Sequence, residues 1–444
     1  MRIAVFGCGY VGLTTAVGLA EIGHQVTGVD TDAAKIHSLQ NGKVPFYEPG
    51  MQELLARNIT EKRLQFSTNA RLAIQKSDVV FCAVAAPSSR KSITDLSAVL
   101  KVASDFALYS DSEKIFINKS TVPVGTSDEI ARTIRTKQTK RTPFFVVSNP
   151  EFLREGHALK DFFHPDRIVI GLPEGSAANA NKEPNRLKLT MRRLFRHVAK
   201  NGIPLLFTSL RNAEIIKYAS NAFLATKISF VNELAQFCEK AGGDIKEVTN
   251  GMRHDPRIGI HFLDAGIGFG GSCLPKDLGV LLRTGKTARV PLRLMKSVKD
   301  INDAQPFQVI EKLRKKHPRL NGKKVAVWGV SFKPDTDDLR DAPSRLIVDK
   351  LLKLKARVHV FDPVALGNFK KIYGARLEYG KDAYDILKDA DALLLLTEWN
   401  EFSSPDFKRI KKLMRTPLIV DGRNVYDPAE LRAQKFIYSG IGRS

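Results

Sequence analysis

Arg2-Ile3-Ala4-Val5-Phe6-Gly7-Cys8-Gly9-Tyr10-Val11-Gly12, read on to Gln25-Val26-Thr27-Gly28-Val29-Asp30, is the stretch that decides the fold. Residues 2–7 are a short apolar strand. The three glycines follow at G-x-G-x-x-G spacing, then an apolar helical run to about Ile22, a break at Gly23-His24, and a second strand ending on an acid, Asp30. Strand, glycine loop, helix, strand and acid in that order are the dinucleotide-binding pattern in its full context. Gly7, Gly9 and Gly12 permit the tight turn and the approach of a pyrophosphate, whose charge suits the helix N-terminus beginning at Tyr10 and Val11. Asp30 is placed to accept hydrogen bonds from the ribose hydroxyls. It would repel a 2′-phosphate, so the expected cofactor is NAD rather than NADP. Lys35 is a candidate phosphate or ribose contact, with a solvated lysine as the alternative reading.

The alternation of strands and helices continues outward from this unit. Apolar runs at 78–83, 114–118, 144–147, 168–171 and 205–208 predict further strands. In such a sheet ligands lie beyond the carboxyl ends of the strands. Those ends carry Pro87, then Thr121 within Lys119-Ser120-Thr121-Val122-Pro123-Val124-Gly125-Thr126, and then Glu151 and Glu155 within Pro150-Glu151-Phe152-Leu153-Arg154-Glu155-Gly156. A helix cap is the other reading of Thr121. Residues 174–183 are polar and read as a surface loop. From Asn212 to Ala241 apolar residues recur at helical spacing on more than one face, which predicts one long helix buried between domains or subunits. Lys217 and Asn221 share a face of it at i and i+4. A short helix over 245–252 follows. Residues 291–316 read as one further helix. A second α/β unit starts at Lys323, with strands at 325–329, 357–361, 393–396 and 418–420; it echoes the first and lacks the glycine loop.

Between the two α/β units lies Gly268-Phe269-Gly270-Gly271-Ser272-Cys273-Leu274-Pro275-Lys276-Asp277. Its glycines let the backbone approach a ligand, and Pro275 suits the first turn of a helix. That places Cys273 at a helix N-terminus, where a thiolate is favoured, and puts Asp277 on the same face one turn on. The bland alternative is a glycine-rich turn with an inert buried thiol.

The length of 444 residues implies two or three domains. The composition, 43% hydrophobic and 26% charged, is that of a soluble globular protein. No apolar run approaches the about 20 residues of a membrane helix, and the N-terminus reads as a strand rather than a signal peptide. Cys8, Cys82, Cys238 and Cys273 are scattered without metal-ligand spacing, which suggests free thiols in the cytoplasm and no metal. The net charge of +23 is carried largely by clusters at 192–200, 312–324 and 408–415. Solvated helix faces are the preferred reading. Nucleic-acid binding is disfavoured because no aromatic-interleaved basic strand accompanies the charge, and a field that steers small anionic substrates is compatible with either.

A nicotinamide cofactor implies hydride transfer, and an activated cysteine implies a covalent intermediate. Together they permit oxidation of an alcohol through an aldehyde to an acid, by way of a thiohemiacetal and a thioester. Hydrolysis needs a carboxylate, for which Glu151, Glu155 and Asp277 are candidates. Lys217 and Asn221 suit stabilisation of the alkoxide and oxyanion.

Taken in order, Gly7 to Gly12, Ser120 to Thr126, Pro150 to Gly156, Arg257-Ile258-Gly259, Gly268 to Asp277 and Phe332 to Arg340 resemble the UDP-glucose/GDP-mannose dehydrogenase family over almost the whole chain. The resemblance implies two Rossmann-like doubly wound α/β domains joined by a central helical dimerisation region. The corresponding division is 1–208 for the NAD domain, 209–316 for the centre and 317–444 for a sugar-nucleotide domain. It also implies a homodimer and a four-electron oxidation of a sugar C6 hydroxyl with two NAD. Carried onto matching positions, Cys273 resembles the nucleophile, Glu151 the hydrolysis base with Thr121 and Glu155 in support, and Lys217, Asn221 and Asp277 the groups that handle oxyanion, proton and water. Gly7, Gly9, Tyr10, Val11, Gly12, Asp30, Lys35, Pro87, Thr121, Glu155, Lys276 and Arg340 resemble cofactor contacts. Glu151, Phe152, Leu153, Lys217, Asn221, Phe262, Gly270, Lys333 and Arg423 resemble sugar-nucleotide contacts, as does Arg257, which would reach across the dimer. Ala85-Ala86-Pro87 departs from the Gly-Thr that the family usually carries before this proline. Asp255 to Gly259 with Phe262-Leu263 resembles the UDP-glucose branch, and hence oxidation to UDP-glucuronate. GDP-mannose or another nucleotide sugar is the alternative substrate, and Ser272, where the N-acetylhexosamine branch carries histidine, argues against that branch.

Overall fold

The computed structural model describes residues 1–87, 94–173, 183–197 and 201–443. The polar stretch at 174–183 lies outside these, except that a helix begins at Glu183 (Glu183–Leu194); Lys200, which ends one basic cluster, lies outside them too. The chain divides into two compact units, Met1–Ser220 and Asn221–Ser444.

The first unit is built on an eight-stranded sheet: β1 (Arg2–Phe6), β2 (Gln25–Val29), β3 (Leu64–Ser67), β4 (Val79–Cys82), β5 (Lys114–Asn118), β6 (Phe144–Ser148), β7 (Ile168–Leu172) and β8 (Leu205–Ser209). Its order is β3-β2-β1-β4-β5-β6-β7-β8. All neighbours are parallel except β6 and β7, which meet antiparallel at Ser148 and Gly171. The strands read as near-continuous apolar runs because both faces are covered. Ile3, Val5, Phe81 and Ile117 point into one core against Leu13, Val17 and Leu19. The alternating residues Ala4, Phe6, Val80 and Phe116 point into the other, against Val102, Phe106 and Ile130. This period of two places helices on both sides and directs every parallel strand's carboxyl end to one edge.

The second unit carries β9 (Lys324–Trp328), β10 (Arg357–Phe361), β11 (Glu378–Tyr379), β12 (Ala392–Leu395), β13 (Leu418–Asp421) and β14 (Ile437–Gly440), all parallel in the order β11-β10-β9-β12-β13-β14. Again the strand residues alternate between cores, Val325, Val327 and Leu394 to one side and Ala326, Trp328 and Leu393 to the other. Ahead of the sheet lie helices at Ile245–Arg253, Leu274–Thr287, Arg293–Ala304 and Phe307–Lys316. The single helix expected over 291–316 is therefore two. Pro306 lacks the N–H that a continuous helix needs at that point. The side chains just before it are committed elsewhere: Asn302 brackets the backbone of Phe269, accepting from its N–H and donating to its carbonyl, and Gln305 donates to the carbonyl of Gly266.

The predicted long helix spans Leu210–Ala241, 32 residues and about 48 Å, and the division between the units falls within it, after Ser220. Three short edge strands, β3, β11 and β14, carry too little apolar periodicity to be read from sequence.

Candidate active site

The site residues fall into two groups, one in each unit, and each is built from strand ends and helix starts. In the first unit, β1 ends at Phe6 and the chain turns through Gly7, whose φ of +91° only glycine adopts without strain. A Cβ on Gly7 would stand 2.7 Å from the carbonyl oxygen of Ala83, and one on Gly12 would collide with the carbonyl of Gly7. At Gly9 nothing lies within 4 Å of that position. The turn is thus packed on its inner side and open at Gly9, which caps the helix Tyr10–Glu21 and offers no side-chain oxygen to its first-turn N–H groups. Those are the donors a pyrophosphate takes, so the loop fits a dinucleotide.

Asp30, at the end of β2, accepts from the Cys8 N–H at 2.8 Å, the Asp32 N–H at 3.0 Å and the Lys35 ammonium at 2.9 Å. Burial opposes its charge, but these donors outweigh burial and hold its carboxyl below the usual range. Lys35 is thus engaged with the acid that the ribose would meet. Burial, with the charge of Asp30 added, pushes the neighbouring Cys8 thiol up to about 12. Tyr10 is tied down by a residue that sequence reasoning missed. Its hydroxyl donates to buried Glu48, and the N–H of Gly156 approaches both the Tyr10 oxygen (2.6 Å) and the Glu48 carboxylate (2.7 Å). Glu48 thereby connects the glycine loop to the segment bearing Glu151 and Glu155. Val11 and Thr121 are half-buried, Pro87 is exposed and Glu155 is buried.

Beyond the end of β6, Glu151 is buried. Its carboxylate accepts from the Lys217 ammonium at 2.9 Å on one oxygen and from the Leu153 N–H at 2.6 Å on the other. The paired side chains of Lys217 and Glu151 are 4% and 6% exposed, so water screens the pair little. Desolvation works against the Glu151 anion, but Lys217, the Leu153 N–H and the charge of Lys119 together hold it below the ordinary carboxylate range. Phe152 lies beneath the guanidinium of Arg167, 3.9 Å from its ring centroid, with the Lys217 ammonium 5.4 Å from the same ring. Lys119 and Arg167 were not singled out from sequence. The available signal for Lys119 was a lysine at the very end of an apolar strand.

In the second unit Cys273 is the N-cap of the helix Leu274–Thr287, with Pro275 in its first turn, as the sequence predicts. It is half-buried, whereas Cys8, Cys82 and Cys238 are buried. The Cys82 thiol is pushed up to about 12 by complete burial. The Ser272 hydroxyl lies 3.6 Å from the Cys273 sulfur. One turn on, buried Asp277 accepts from the Asn221 amide and from the Lys276 ammonium, each at 2.6 Å. Four of the predicted residues thus meet at one helix start. The glycines ahead of them are required: a Cβ on Gly270 would collide with the Asp341 carbonyl, and Gly271, at φ +81°, lies against the ring of Phe332. The Gly271 N–H donates to the carbonyl of Arg340, which seats the 332–340 loop on the cysteine loop.

The remaining candidates are more dispersed. Arg340 forms a two-pronged pair with Asp338, and Lys333 lies with its ammonium 5.7 Å from the Phe332 ring. Arg423 donates to the carbonyls of Leu396 and Phe332, so its guanidinium braces that loop. Phe262 is half-buried with a left-handed φ of +62°. Arg257 pairs with Asp255 and projects into solvent with 89% of its side chain exposed. No group of metal-binding side chains and no helix long and apolar enough to cross a membrane occurs among the described residues.

Residues 1–197 match the NAD binding domain of the UDP-glucose/GDP-mannose dehydrogenase family, 211–304 its central domain and 326–428 its UDP binding domain. The chain is 43% identical to a UDP-glucose 6-dehydrogenase of Rhizobium meliloti (strain 1021), with all of both chains covered. It is 41% identical to the UDP-glucose 6-dehydrogenase TuaD of Bacillus subtilis (strain 168), covering 100% of this chain and 93% of the relative. The structure of a UDP-glucose dehydrogenase from the hyperthermophilic archaeon Pyrobaculum islandicum superposes with a TM-score of 0.90 at 34% identity, over 100% of this chain and 98% of that one. With the glycine loop, the buried Glu151–Lys217 pair and the capped cysteine helix in place, the chain belongs to the UDP-glucose/GDP-mannose dehydrogenase family and is an NAD-dependent dehydrogenase.

Proposed function

We propose that this chain oxidises the C6 hydroxyl of UDP-glucose to the carboxylate of UDP-glucuronate. The observation that carries the reading is Cys273 at a helix start, one turn from an Asp277 held by Asn221 and Lys276, in a chain similar over its whole length to UDP-glucose 6-dehydrogenases. The glycine loop and Asp30 would hold NAD, which would supply the hydride acceptor for each of two oxidations; in the first, C6 loses a hydride and its hydroxyl gives a proton to solvent, leaving the aldehyde. Cys273 adds as thiolate to the aldehyde carbon: a C–S bond forms and the carbonyl oxygen takes the electron pair, met by donors of Lys217 and Asn221. Loss of hydride from that carbon leaves a thioester. Water gives a proton to Glu151 and adds to the acyl carbon, the C–S bond breaks, and the thiolate is restored. Thr121 and Glu155 support this base.

Lys276 and Arg340 serve on the cofactor side, while Phe152, Leu153, Phe262, Gly270, Lys333 and Arg423 hold the sugar nucleotide. The functional division is 1–208, 209–316 and 317–444. The protein works in the cytoplasm, where its four thiols stay reduced, and as a homodimer in which exposed Arg257 reaches the neighbouring subunit's substrate. The test is NADH absorbance followed to completion with NAD and a limiting amount of UDP-glucose. Two NADH per UDP-glucose are expected, and Cys273→Ser should lower steady-state turnover by about 10³-fold or more. Turnover with GDP-mannose alone, or a serine variant that still produces NADH at the parent rate, would overturn the reading.

A further inference from the structure

Lys119 has no part in the scheme above, yet it is buried. It follows the last residue of β5, and Asn149 follows the last residue of β6, on the neighbouring strand. The Lys119 ammonium donates to the side-chain oxygen of Asn149 at 3.1 Å. Asn149 is itself locked: its amide nitrogen donates to the carbonyl of Val169 at 2.9 Å, and its backbone N–H to that of Asn118 at 2.8 Å. Two buried ammonium groups, Lys119 and Lys217, therefore act on the carboxylate of Glu151, which lies two residues beyond Asn149. Lys217 takes the carboxylate directly. Lys119 is anchored on a neutral amide, which cannot offset its charge.

Burying an ammonium without a carboxylate of its own costs stability, and a structural lysine would be cheaper as a methionine or leucine. What the surplus charge does is act on its neighbours. It lies within the field of Glu151, which favours it, and of Lys217, which opposes it. Arg167 is the further cation on this side, stacked on Phe152 and donating to Ser220.

We propose that Lys119 is a positioning residue for Glu151: a second buried ammonium whose field keeps the carboxylate ionised, so that it is free to take a proton from water during thioester hydrolysis. This rests on the role given to Glu151 above. Burial draws the Lys119 ammonium down to about 8, so the surplus charge is present at neutral pH and is shed on the alkaline side. The proton state of Glu151 and that of Lys119 are thus coupled titrations.

The test is the titration of Glu151 followed by 13C NMR of the whole protein labelled at glutamate carboxyls, the resonance being assigned by its loss in Glu151→Gln, together with the pH profile of kcat for UDP-glucose oxidation. In the parent protein Glu151 should titrate below the usual carboxylate range and show a small second step near pH 8. In Lys119→Met the main step and the acid limb of kcat should both move up by about one pH unit, and the step near pH 8 should vanish. Lys119→Arg, which stays charged, should keep the main step and the acid limb in place and still lose the step near pH 8. A fall in kcat with unmoved pH dependence, or a Glu151 titration unchanged in Lys119→Met, overturns the proposal. If Lys119→Met does not fold, Lys119→Arg decides by its second step alone, whose persistence overturns the proposal. If the parent oxidises no UDP-glucose, the functional reading fails while the NMR titration still judges the role of Lys119.

Discussion

Buried charge gives the individual residues of this protein their chemical character. Glu151 and Lys217 balance each other, so removing either leaves a buried ion without its direct partner, in a place that water screens little. Lys119 lacks such balance, and the consequence is measurable as stability. Burial draws its folded pKa down to about 8, below the 10.5 of a free lysine. Between those two values the unfolded chain holds more protons than the folded one, so stability climbs with pH across that window. Below pH 8 the full cost of the buried ammonium is present. Lys119→Met should therefore be more stable than the parent at pH 7, by up to about 3 kcal/mol, with the difference shrinking toward pH 10. Denaturant midpoints at pH 7 and 9.5 check this. A variant less stable at both, by the same amount, would mean that Lys119 contributes packing rather than a charge cost. A gain in stability accompanied by a loss of rate is what a residue kept for function shows.

At the scale of elements, helix starts set the geometry of the candidate residues within each unit. Gly9 and Cys273 are N-caps without a side-chain cap bond, which leaves their first turns to a ligand or to the reacting thiol. The helix Thr126–Lys137 is treated differently. Its cap residue Gly125 has no side chain, and Glu214 supplies the missing acceptor from the long helix: the N–H groups of Gly125 (2.6 Å) and Ser127 (2.8 Å) and the Ser127 hydroxyl (2.7 Å) all donate to it. Burial pushes the Glu214 carboxyl up despite these donors. The bond set holds the long helix against the loop that carries Thr121, three residues before Lys217 enters the site. Glu214→Ala should lower stability by about 2 kcal/mol through the lost cap, and Glu214→Gln by less because one acceptor remains. Thermal unfolding of the two variants checks it, and equal midpoints for Glu214→Ala and the parent would refute the capping role.

At the scale of the whole molecule, the long helix presents Phe223, Phe230 and Phe237 at seven-residue spacing, with exposures of 65%, 48% and 66%. Seven residues are nearly two turns, so the three rings form one stripe along the helix. An aromatic stripe of this length on an otherwise charged chain is what a subunit interface uses, and it supports the homodimer proposed above. Phe230→Glu should shift the protein from dimer to monomer in sedimentation velocity. It should also weaken UDP-glucose binding if the Arg257 of a neighbouring subunit completes the site. A Phe230→Glu protein that remains dimeric would exclude this face.

The sequence by itself determined whatever is written in consecutive residues. The glycine loop and Asp30, the strand ends bearing Thr121, Glu151 and Glu155, and the cysteine placed one residue before a helix are all local patterns whose physics needs only the chain's own geometry. The long helix was legible for the same reason. Which strand ends stand side by side was not, because sheet order joins segments tens of residues apart. Lys119 meets Asn149 only because β5 pairs with β6, Glu48 meets Tyr10 and Gly156 only after the 44–50 segment folds back, and Glu214 reaches Ser127 across 87 residues. The break at Pro306 shows the same limit, since Asn302 and Gln305 had helical spacing but their side chains bond the backbone of Phe269 and Gly266. Periodicity reports where a side chain points along its own element. Burial, neighbouring charge and the proton each group holds are set by what the other elements bring to it, and only the tertiary structure decided those.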